Sequence, residues 1–93
     1  MGNESETHWM PVFAVIAPKE DARLTAAVSA NFPRRYKIAP GQWVVNADGP
    51  TAQSVATRLG LNNTVGSFVV FSVAGYFGYH DKPLWEWLTL NSN

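Results

Sequence analysis

The chain has 93 residues, enough for one domain, and its balance of 46% apolar, 15% charged and 13% aromatic residues excludes a disordered polymer. With no cysteine it has no disulfide, no thiolate nucleophile and no cysteine metal site, so packing must hold this small fold, with or without self-association. Seven basic and seven acidic residues cancel, which argues against nucleic acid as the default partner and leaves only local patches for one.

Residues 1–9 are polar and carry Glu4 and Glu6, where a secretory signal needs a basic start and then an apolar stretch. They read as a flexible leader on a cytoplasmic protein, ahead of a single domain over residues 10–93. Residues 12–17 (VFAVIA) form an apolar run ended by Pro18, with the length and β-branched content of a central strand covered on both faces. Over residues 19–32 the period changes. Leu24, Val28 and Phe32 recur four apart, and Glu20 and Asp21 are expected in the first turn of an amphipathic helix that Asn31 and Pro33 end. Residues 34–39, the tight turn Pro40-Gly41 and residues 42–47 read as a hairpin.

Gly49 or Thr51 can cap a second helix, whose apolar positions Ala52, Val55, Ala56 and Leu59 share one face. Gly60-Leu61 suits a Schellman ending. A polar connector over residues 62–66 leads to residues 67–74, the strongest strand signal in the chain. The apolar stretch 68–77 is interrupted by Ser72 and Gly75 and reaches about half of the ~20 residues a membrane helix needs. Residues 75–79 continue the strand irregularly, and residues 83–90 suit a short helix with Pro83 first and Asp81 as cap.

Strand, helix, strand, strand, helix, strand is the split pattern of an α+β, ferredoxin-like βαββαβ fold. It predicts a four-stranded antiparallel sheet, two helices on one face and a short C-terminal helix. In that topology the fourth strand is an edge, yet it is apolar on both faces, and an uncovered hydrophobic edge is an association site. The C-terminal segment, with Trp85, Trp87 and Leu88, either closes the open side of its own sheet or docks on a partner subunit. The expected interface takes Phe68, Val70 and Phe71 from the fourth strand. It takes Tyr76, Phe77, Trp85, Trp87 and Leu88 from the tail.

Phe13, Trp43, Phe71 and Tyr76 could present aromatics for base stacking, but Gly41-Gln42-Trp43-Val44-Val45 lacks the basic residue and the alternating aromatics of the ribonucleoprotein motif, so core or interface packing is the better reading. Arg34, Arg35 and Lys37 form the one basic cluster, a solvated strand edge that with Arg58 offers a nucleic-acid contact as the alternative. Catalytic inventory is thin. His8 lies in the leader, and His80 stands beside Asp81 with nothing that places Ser67 or Ser72 against it. Two histidines without ligand spacing make no zinc site, and no cofactor is expected.

The βαββαβ order, the hairpin strand Trp43-Val44-Val45, the helix over residues 51–59 and the closing Trp85-Glu86-Trp87-Leu88 carry a resemblance. They resemble a group of small uncharacterised bacterial proteins related in fold to the small, dimeric, ferredoxin-like subunit of CRISPR adaptation complexes. The resemblance implies dimerisation through the sheet edge and a C-terminal segment. In that adaptation family the first strand ends in an aspartate implicated in metal-dependent nuclease activity. Here it ends Ile16-Ala17-Pro18, and Asp21 lies three positions further on, so nuclease chemistry does not carry over. The leading expectation is a non-enzymatic interaction module that homodimerises. A nucleic-acid-associated protein is the alternative, and an enzyme working through the His80 loop is the third.

Overall fold

The computed structural model describes residues 11–48, 51–61, 64–80 and 82–91. The expected leader with His8, and the caps expected at Gly49 and Asp81, lie outside the described residues. The elements are β1 (Val12–Ile16), α1 (Ala22–Asn31), β2 (Arg35–Ala39), β3 (Gln42–Asn46), α2 (Ala52–Leu59), β4 (Val69–Ser72) and α3 (Lys82–Asn91). The four strands form one antiparallel sheet in the order β2-β3-β1-β4.

Local chemistry sets the element ends. Asp21 is the N-cap of α1 rather than a first-turn residue. Its extended backbone aims Oδ1 at the amides of Arg23 and Leu24, 2.8 and 3.3 Å away, and this satisfies two donors that the first turn leaves open. Glu20 therefore falls outside the helix. In the hairpin, Pro40 precedes Gly41 at φ +78, and a Cβ on Gly41 would stand 2.9 Å from the carbonyl oxygen of Lys19, so only glycine fits. Thr51 caps α2 by accepting from the amide of Ser54. Gly60 ends that helix at φ 119 and ψ 120, outside the left-handed helical region of a Schellman turn, with its amide bonded to the carbonyl of Ala56.

Strand alternation divides the apolar residues between two cores. Phe13 and Val15 of β1, Trp43 and Val45 of β3, Leu24 and Val28 of α1, and Val55 and Leu59 of α2 pack together on one face. Val12 and Val44 point to the other face and meet Leu84 and Leu88 of α3, with Tyr36, Ile38, Trp85 and Trp87 around them. Helix α3 thus closes its own sheet, over β1, β3 and β2. Asn46, itself buried, donates from Nδ2 to the carbonyl of Asn91 at 2.9 Å and ties the end of α3 to β3.

Strand β4 is shorter than the run 67–74 predicts. It pairs with β1 alone, from Ile16↔Val69 to Phe13↔Ser72, and the five residues of β1 limit how much of it can join the sheet.

Candidate interaction surface

The sheet has two edges, and their chemistry is opposite. Along β2 run Arg35 and Lys37, and the pairing with β3 is irregular between Lys37 and Ala39. Charge and irregular register both discourage a further strand. Between Arg58 and Asp81 the sequence holds no Asp, Glu, Lys or Arg, and β4 lies inside that interval. Val69 and Phe71 remain 45% and 55% exposed on the face where α3 packs, opposite Ile16 and Ala14. On the other face Phe68 and Val70 are half-buried against the larger core.

Beside this edge lies an open groove of about 580 Å³ between α2 and β4, lined by Ala56, Gly60, Leu61, Phe68 and Val70 among others. Beyond β4 the chain leaves regular secondary structure and is exposed through residues 74–80. Tyr76 stacks on Trp85 with ring centroids 6.1 Å apart, and Trp85 Nε1 donates to the carbonyl of His80 at 3.0 Å. Phe77 and Tyr79 project fully into solvent.

The expected interface residues therefore divide. Phe71, Tyr76 and Phe77 are exposed; Phe68, Val70, Trp85 and Trp87 are half-buried in the chain's own cores; Leu88 is buried there. Val69 and Tyr79 belong to the same surface but were not among the residues singled out from the sequence. Strand alternation signals Val69, which shares a face with Phe71, whereas Tyr79 lies outside the strand and carries no such signal.

The cations of the alternative reading already have intramolecular partners. Arg35 donates to the carbonyl of Phe32 at 3.0 Å. Arg58 lies over the Phe32 ring and 3.4 Å from Asp48, so Arg35 and Arg58 gather around one aromatic residue. Lys37 bonds to Glu20 at 2.9 Å and sits over the Trp43 ring. The carbonyl of Arg34 accepts from the amide of Asn46. This Lys37 bond, helped by the amide of Gly41, holds the Glu20 carboxyl below its ordinary value. The Arg23 guanidinium lowers Asp21 in the same way, and Asp21 in turn raises Arg23.

Among the described residues no group of His, Asp and Glu converges to hold a metal ion, and no helix is long and apolar enough to cross a membrane. No protein-family model, no curated protein and no solved structure matches this chain.

Proposed function

We propose that this protein is a non-enzymatic interaction module of ferredoxin-like fold that acts as a homodimer, paired through β4 and the exposed segment that follows it. The order β2-β3-β1-β4, with α1 and α2 on one face, supports the fold assignment. The observation that carries the functional reading is the contrast between the edges. Natural sheets protect a free edge with charge or irregularity, as β2 does, and β4 has neither. Leu84 and Leu88 are occupied within the chain, so a partner meets the edge of β4 and residues 74–80 rather than the buried stripe of α3.

Sedimentation equilibrium at micromolar concentration tests the reading. A two-chain mass that falls to one chain in Val69→Lys, with the fold retained, is the expected result. A one-chain mass for the unaltered protein at every concentration overturns it.

A second reading, a nucleic-acid-associated protein of the CRISPR-adaptation-like class, draws on the gathering of Arg35 and Arg58 around Phe32, which a two-fold axis would duplicate. It predicts binding of duplex or single-stranded nucleic acid with a steep salt dependence, and Arg58→Ala would reduce that slope by about one counterion per site lost.

A further inference from the structure

The outer edge of β4 carries a defined main-chain pattern. The amide of Val73 donates to the carbonyl of Val12 at 3.0 Å, so it faces β1. Main-chain groups of successive strand residues turn to opposite edges. Val69 and Phe71 therefore also face β1, while Val70 and Ser72 direct their N–H and C=O away from the sheet. Among the described residues no strand lies beyond β4 to meet them. Side chains add a second pattern. Val69 and Phe71 stand exposed on the α3 face, and because α3 itself lies over β1, β3 and β2, that face of β4 is open.

Building on the homodimer reading above, we infer that β4 pairs antiparallel with β4 of a second copy in the register centred on Phe71, joining the two sheets into one. Parity restricts the choice. Hydrogen-bonded positions must join outward-facing residues of both strands, so the two-fold axis passes through a residue and never between two. With the axis at Phe71, the whole stretch 69–73 that runs along β1 lies opposite its own copy, and each Val70 exchanges both main-chain bonds with Ser72 of the partner subunit. An axis at Val70 or Ser72 moves one of these residues opposite position 68 or 74, outside β4. The same register makes Phe71 a non-hydrogen-bonded pair with its own copy, the arrangement in which side chains approach most closely, and two exposed rings then cover each other. Charge selects a second copy as the occupant. Two-fold pairing sets an edge against itself, so on β2 Arg35 and Lys37 would meet cations, whereas residues 59–80 contain no Asp, Glu, Lys or Arg to repel their copies.

The full chain has no cysteine, so introduced cysteines report the register. Cα atoms of a non-hydrogen-bonded antiparallel pair lie about 4.5 Å apart, within disulfide reach. Phe71→Cys, oxidised with glutathione disulfide, should therefore link to its own copy, and Val69→Cys mixed with Val73→Cys should link as a heterodimer. Val69→Cys alone should not, since its copies stand about 14 Å apart along the strands. Ser72→Pro removes an outward amide and leaves the β1 pairing intact, so it should keep the far-UV circular dichroism of the unaltered protein. It should raise the dimer dissociation constant about 30-fold, because symmetry leaves two partner carbonyls unpaired. Suppose instead that Val69→Lys separates the dimer, but Ser72→Pro dimerises normally, or Phe71→Cys fails to link to itself while Val69→Cys links to Phe71→Cys. The register is then wrong and the homodimer stands. A monomeric unaltered protein, its edge left to a strand of another protein, overturns both.

Discussion

Glu20 belongs to no helix or strand, yet it fastens a helix, a strand and a turn. Its Oε2 accepts from Lys37 on β2 at 2.9 Å and from the hydroxyl of Thr25 in α1 at 3.4 Å, while Oε1 accepts from the amide of Gly41 in the hairpin turn at 3.2 Å. These bonds favour the charged carboxylate, so its folded pKa lies below the unfolded one, and Asp21 is shifted the same way by Arg23. A lowered folded pKa means stabilisation that is fully present above the unfolded carboxylate values near 4 and lost as pH falls through the folded ones. The melting temperature should therefore fall on acidification below about pH 4.5. Glu20→Gln should lower it at neutral pH and flatten that acid limb. Thermal melts from pH 3 to 7 measure both, and parallel curves for the two proteins would contradict the role given to Glu20.

At the scale of the element, α3 packs on the face of the sheet opposite α1 and α2. A stripe of Leu84 and Leu88 fixes it to Val12 and Val44, with a hydrogen bond from Asn46 at its end. Leu88→Ala removes half of that stripe and should cost about 2–5 kcal/mol in urea unfolding. Its first effect should be local: faster hydrogen exchange in α3 while β1 amides stay protected. Uniform acceleration across the chain would show instead that α3 and the sheet unfold as one unit. The pairing of Leu84 with Leu88 was legible in the sequence as a helical repeat, and so was a sheet covered on both sides, because Val12, Phe13, Val44 and Val45 are apolar without alternation. What the sequence did not resolve was whose sheet α3 covers, since a repeat fixes a face and names no target. The cap of α1 was hidden for a related reason. Glu20 and Asp21 are adjacent acids, and only the backbone turn decides which one reaches the free amides. Phe77 was legible as an interface candidate in the apolar tail, while the clearance around Gly75 and Gly78 is a tertiary property that no local pattern carries.

For the whole molecule, the edges of the sheet decide what it can become. An open sheet offers two pairing sites, and a protein that pairs at one of them stops at a dimer only while the other is blocked. On β2 the block is Lys37, whose ammonium Glu20 holds over the Trp43 ring, together with Arg35 and the irregular pairing at Lys37/Ala39. Placing a charge on β4 and removing one from β2 should therefore act in opposite directions. Val69→Lys should give a protein whose melting temperature no longer rises with concentration, because self-association no longer stabilises the folded state. Lys37→Val leaves a β-branched residue on the β2 edge and frees Glu20 from its cation. With β4 still able to pair, contacts through both edges do not close, and light scattering at rising concentration should show assemblies beyond two chains. If the Lys37→Val protein keeps a two-chain mass, the bulge and Arg35 suffice to guard β2, and Lys37 serves the Glu20 tie rather than the edge.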